Sequence, residues 1–125
     1  MTDNRKEDDQ FRVCGTKFLI SAQDMDRAIR FYRDTIGLAV EVTSPYWSEL
    51  SFGTAVVALH AGGNGEFQST GLSFTVDNID HACEAVIEGG GSVRKSPEDR
   101  GDEGIFLAAL VDTEGNGFMM SQDKD

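Results

Sequence analysis

Basic side chains are scarce in this chain. Eleven Lys and Arg stand against 22 Asp and Glu in 125 residues, a formal net charge of −11. Nucleic-acid binding needs basic stripes that neutralise phosphates and release counterions, so no nucleic-acid partner is expected. Cysteine is scarcer still. Cys14 and Cys83 are the only two, with neither CxxC nor paired spacing, and they read as reduced core thiols of a cytoplasmic protein. No apolar run approaches the roughly 18 residues that a membrane span requires. Residues 1–10, MTDNRKEDDQ, are too polar for the apolar stretch of a signal peptide and read as a disordered acidic tail. The G-x-S-x-G nucleophile elbow is missing, and neither cysteine has a charged neighbour that clearly lowers its pKa. The glycine-rich stretch over 61–69 is not a phosphate loop, because no Lys-Ser/Thr follows and no helix opens directly after it. The acidic excess fits either a solvated surface or a cleft whose negative potential attracts small cations.

What is present is enough apolar residue, 39%, for one packed domain. Residues 18–42 carry its plan. An apolar run opens with Phe18, as a buried strand does. Asp24 can cap a helix, since its carboxylate accepts from an unpaired first-turn N–H. Met25, Ala28, Ile29, Tyr32 and Ile36 then recur on one helical face, and Gly37 permits the left-handed stop. The same plan returns 54 residues on. Asn78-Ile79-Asp80-His81-Ala82 stands against Asp24-Met25-Asp26-Arg27-Ala28, and Gly91 against Gly37. Leu72 to Val76 is the preceding strand, while Ile79, Ala82, Cys83 and Val86 share a helical face. His81 falls off that face and receives no role.

Val40 to Tyr46 continues the strand after the first helix, and Pro45 suggests that it ends at an edge or bend. Trp47 to Phe52 and Ala55 to His60 flank Gly53-Thr54, whose Gly-polar order suits a two-residue type II′ turn. That loop fixes the pairing: Phe52 opposite Ala55, Leu50 opposite Val57, Glu49 opposite Ala58, Trp47 opposite His60. By alternation, Trp47, Glu49, Ser51, Val56, Ala58 and His60 share one face. Leu50, Phe52, Ala55, Val57 and Leu59 form the other, apolar enough to receive a helix. In the second copy, Ser92 to Lys95 is a short strand and residues 96–103 a charged loop, a candidate lid. Ile105 to Val111 and Gly117 to Gln122 are strands around the turn Asp112-Thr113-Glu114-Gly115-Asn116. The organisation is module one over 11–61, a linker over 62–69 and module two over 70–122, each β-α-β-β-β in one α+β domain.

Two such copies resemble the vicinal oxygen chelate superfamily, which includes glyoxalase I, extradiol dioxygenases and metal-free bleomycin-resistance proteins. The residues that carry the resemblance are Asp24, the run Arg30-Phe31-Tyr32-Arg33-Asp34 and Ile36-Gly37-Leu38. Phe74-Thr75-Val76-Asp77-Asn78-Ile79-Asp80 and the turn at 112–116, similar to a D-P-D-G-N turn, complete them. The resemblance implies a curved mixed sheet, of the glyoxalase/bleomycin resistance-like fold, around a cup with helices 24–36 and 78–89 outside. It also implies a homodimer. The positions that hold metal ligands in metal-dependent members fall at Lys17, Ala58, Gly71 and Met119. None suits a hard or borderline divalent ion, because lysine is protonated at neutral pH and a lone thioether prefers soft copper. No metal and no other cofactor is expected.

The vacated cup offers Lys17, Trp47, Glu49, His60 and Met119 as candidate ligand-binding residues. Lys17 shares strand parity with Leu19 and Ser21, and Glu49 is its nearest partner; the alternative is a lysine that reaches the rim and does nothing. His60 is either a surface histidine or a proton acceptor in the cup. Trp47 is either core or a stacking wall for a flat or cationic ligand. Phe67, Phe106 and Phe118 lie on strands whose parity the pattern leaves open. Two functions compete: a metal-independent binder that sequesters a cationic or aromatic small molecule, and a glyoxalase-like lyase or isomerase using Lys17, Glu49 or His60 in place of the metal. A module that only mediates dimer contacts is a third.

Overall fold

The computed structural model describes residues 10–125. All of the expected acidic tail except Gln10 lies outside the described residues. The first module runs β1 (Phe18–Ala22), helix α1 (Met25–Arg30) continued by a π-helical turn (Phe31–Ile36), β2 (Ala39–Val42), β3 (Trp47–Phe52) and β4 (Ala55–Ala61). The second runs β5 (Gln68–Thr75), α2 (Ile79–Glu88), β6 (Ser92–Asp99), a 3-10 turn (Gly101–Glu103), β7 (Ile105–Val111) and β8 (Asn116–Asp123). The first sheet has the order β1-β4-β3-β2 and the second β5-β8-β7-β6. In each, the strand before the helix pairs in parallel with the last strand of its module. The expected α+β class and the two βαβββ modules are therefore present, with the mixed sheet divided into two four-stranded halves.

The internal echo extends to atomic detail. Asp24 accepts from the Arg27 N–H and Asn78 from the His81 N–H, both at 3.1 Å. One detail differs: the left-handed residue after α2 is Gly90 (φ +98), one place before Gly91. The Gly53-Thr54 hairpin has the expected register throughout, from Phe52 opposite Ala55 to Trp47 opposite His60. Gly53 has φ +58, a conformation that costs little without a Cβ.

Both helices face the same core. Leu50, Val57 and Leu59 from the first sheet and Leu110, Phe118 and Met120 from the second join Ala28, Tyr32, Ile79 and Val86 in one cluster. The helical face of Met25, Ala28, Ile29 and Tyr32 is buried as expected, but so is Phe31. Phe31 packs edge-on to Phe118 of the other module, ring centroids 6.2 Å apart. Helix α1 is thus covered on two sides, by its own sheet and by the second module.

Three expectations need correction. Residues 96–99 are not a loop or lid: β6 continues to Asp99, and the short turn after it is tied by Arg100 to Glu103 and by Lys124 to Asp99. Charged residues are well tolerated there because β6 is a sheet edge, one side of which faces water. The first strand after α1 ends at Val42, well before Tyr46, where the Ser44 hydroxyl accepts from the Trp47 N–H at 2.9 Å and ties the turn into β3. Cys83 is buried, but Cys14 is exposed, because it precedes β1 in a stretch that no element covers. Among the described residues, no helix is long and apolar enough to cross a membrane.

Candidate functional site

The hairpin register builds the site. With Leu50 and Val57 turned to the core, Glu49 must project from the opposite, outer face of the first sheet. Parallel pairing of β1 with β4 sets Phe18 opposite Val57 and Leu19 opposite Ala58. Lys17, one residue before β1, therefore rises from the outer face as well. Its Nζ donates to Glu49 Oε2 at 2.7 Å, and the Trp47 indole N–H donates to the same oxygen at 2.8 Å. The Lys17 hydrogen bond, seconded by that of Trp47, holds the Glu49 carboxyl below the usual carboxylate range. Lys17 Nζ also lies 6.0 Å from the Trp47 ring centroid. His60, opposite Trp47, is exposed, and its Nδ1 lies 3.3 Å from the Ala61 carbonyl oxygen. Leu19, 53% exposed, gives this face an apolar patch.

The five candidate residues do not all meet. Lys17, Trp47 and Glu49 form one hydrogen-bonded group, and His60 stands beside it. Met119 lies on the second sheet, opposite Ser73 and Ala109, on the face turned from Met120 and the core. The outer faces of both sheets are turned away from the shared core.

Met119 has neighbours that sequence reasoning left unassigned. A hollow of about 260 Å³ on the second sheet's outer face is lined by Phe67, Arg94, Lys95, Ala109, Gly117 and Met119. Phe118 proves to be core, and Phe106 packs against the core. Phe67 is the one of the three open aromatics that remains half exposed. A far larger cavity, about 1060 Å³, opens between the modules alongside α2. Phe18, Ile36, Phe52, Leu72 and Ala85 help to line it, together with His81, the histidine that its position off the apolar helix face had left without a role.

The donor set of the metal-dependent relatives does not fit here. Lys17 offers an ammonium already bound to Glu49, Ala58 and Gly71 offer no side-chain donor, and Met119 offers a thioether. Among the described residues, no three His, Cys, Asp or Glu side chains gather as a metal site would require.

A family model described as the Glyoxalase/Bleomycin resistance protein/Dioxygenase superfamily matches residues 16–120. The chain belongs to that superfamily. A search of curated proteins found no match. Among solved structures, a glyoxalase/bleomycin resistance protein/dioxygenase family enzyme from Burkholderia phytofirmans PsJN is 21% identical, with 86% of this chain and 96% of that chain covered at a TM-score of 0.72. TnmS3, an antibiotic binding protein from Streptomyces sp. CB03234, is 20% identical over 92% and 99% of the two chains, TM-score 0.71. Lactoylglutathione lyase from Agrobacterium tumefaciens is 18% identical over 85% and 90%, TM-score 0.67. At these identities the likeness is one of fold, and the same fold carries both a binder and a lyase.

Proposed function

We propose that this superfamily member is a metal-independent small-molecule-binding protein that takes an aromatic ligand against its outer sheet faces. One observation carries the reading. Lys17, at the position of a relative's metal ligand, is locked 2.7 Å from Glu49, and the two brace Trp47 through its indole N–H. A braced aromatic edge beside an exposed leucine is a binding surface with little rotamer freedom left to lose. The family resemblance to an antibiotic binding protein points the same way. A cationic ligand is less well served, because Glu49 already accepts from two donors. Proton transfer is also less well served, because a carboxylate held below its usual range is a weak base.

The reading includes a homodimer. The outer faces of the two sheets look away from one core, so enclosing a ligand on both sides requires the face of a second copy. It also includes a cytoplasmic setting, which both free thiols would suit.

The test uses Trp47, the only tryptophan, as reporter. Aromatic compounds should quench its fluorescence and raise the unfolding temperature equally with chelator and with added Ni, Zn or Mn. Binding that appears only with one of those metals would overturn the proposal.

A further inference from the structure

The second sheet's outer face carries a cation that no carboxylate among the described residues neutralises. The Arg94 guanidinium carbon lies 3.8 Å from the Phe67 ring centroid, close enough for the two planes to stack. Phe67 in turn lies against the backbone of Gly117, where an added Cβ would come within 2.7 Å of the ring. A glycine floor, a phenyl ring and a guanidinium thus form three layers.

Lys95 lines the same hollow as Arg94. Consecutive strand residues ordinarily point to opposite faces, but the pairing of β6 with β7 shifts between Val93 and Lys95. That irregularity re-aims the chain and lets both cations reach one hollow.

From this layered arrangement we infer that the second sheet's outer face binds the carboxylate of a flat aromatic acid. The charge inventory sets this place apart. Lys17, Arg27, Arg33, Arg100 and Lys124 each form an ion pair; Arg30, Arg94 and Lys95 form none with any described residue, and of these three only Arg94 and Lys95 stand together. The chain's net charge of −11 repels anions in general, so an anion held here depends on this local pair. Stacking fixes the guanidinium plane while leaving its N–H edge free, the geometry for two parallel bonds to a carboxylate. The Met119 thioether and the Ala109 methyl are the apolar partners for a ring, since a thioether packs well against aromatic edges. The hollow has room for one small ring system.

The inference rests on the outer faces being ligand-binding, and its test separates the two claims. The full chain is titrated with 1-naphthoate and with the neutral 1-naphthamide, followed by calorimetry and by backbone NMR shifts at Gly117 and Met119. Naphthoate should bind about tenfold more tightly than the amide, because hydrogen bonds to a charged group exceed neutral ones by more than 1 kcal/mol. Arg94→Gln should erase that difference, and Arg94→Lys should keep only part of it. Lys95→Gln should weaken naphthoate several-fold. Both positions are exposed, so the thermal midpoint should stay put. Equal binding of acid and amide, or an Arg94→Gln protein that still prefers the acid, would overturn the carboxylate site and leave the binding function standing. Binding of neither probe would remove both.

Discussion

Arg27 Nε donates to Glu114 Oε2 across 2.8 Å, joining the first module's helix to the last turn of the second. The other Glu114 oxygen accepts from the backbone N–H groups of Gln23 and Asp24 at 2.9 and 2.8 Å. Side-chain exposure is 0% for Glu114 and 40% for Arg27, so the carboxylate is the partner that depends on the contact. Beside it, the Tyr32 hydroxyl donates to buried Asp112 at 2.6 Å, and Asn116 bridges Asp112 to the Ser21 carbonyl.

Glu114→Gln should cost about 2 kcal/mol at neutral pH, the scale of charged hydrogen bonds lost from a buried group. Urea unfolding measures it. Burial alone would raise the Glu114 carboxyl, but Arg27, the Asp24 N–H and Thr113 outweigh that and hold it below the usual range. A lowered folded-state value means stabilisation that is complete above the ordinary carboxylate pKa and lost as pH falls through the lowered one. Burial raises Asp112, whose contribution therefore runs the opposite way. Subtracting the Glu114→Gln profile from the parent profile cancels Asp112. The difference should shrink as pH falls below about 4.3, the ordinary glutamate value.

Gly115→Ala should be harsher than a surface change. Gly115 has φ +92, and a Cβ there would run into the Gly65 and Glu66 carbonyl oxygens. Backbone strain and overlap together should cost about 3 kcal/mol, read from the same urea transition.

Lys17→Met should weaken aromatic ligands several-fold and shift Trp47 emission, because Glu49 then braces the indole alone. Stability should change by less than about 1 kcal/mol, as for other half-exposed ion pairs. Unchanged ligand affinity would make Lys17 a solvated rim residue. Lys17→His should bind neither Ni nor Zn in metal titrations, since Ala58, Gly71 and Met119 still supply no suitable donor.

Sedimentation at micromolar concentration should show a dimer. A strict monomer would mean that each outer face binds its ligand without a second face over it.

Local chemistry was legible in the sequence, and distant chemistry was not. Gly53 and Thr54 determine the hairpin by themselves, and from that register the approach of Lys17 to Glu49 followed correctly. The caps Asp24 and Asn78 are equally local. Burial of Phe31 was hidden because it comes from Phe118, a residue whose strand parity the pattern could not assign. Glu114 read as part of a turn, since nothing near it in sequence reveals that its acceptors serve residues 23 and 24. Arg94 escaped notice because alternation fails at the irregular pairing of β6.

The order of synthesis gives the clasp between the modules a further meaning. Gln23, Asp24 and Arg27 leave the ribosome long before the carboxylate that receives their N–H groups has been made. Tyr32 likewise waits for Asp112, the residue that accepts its hydroxyl. Until Phe118 has been made, Phe31 has no ring of the second module to pack against. The chain carries two similar halves, yet the first completes its fold only after the last turn of the second has been made.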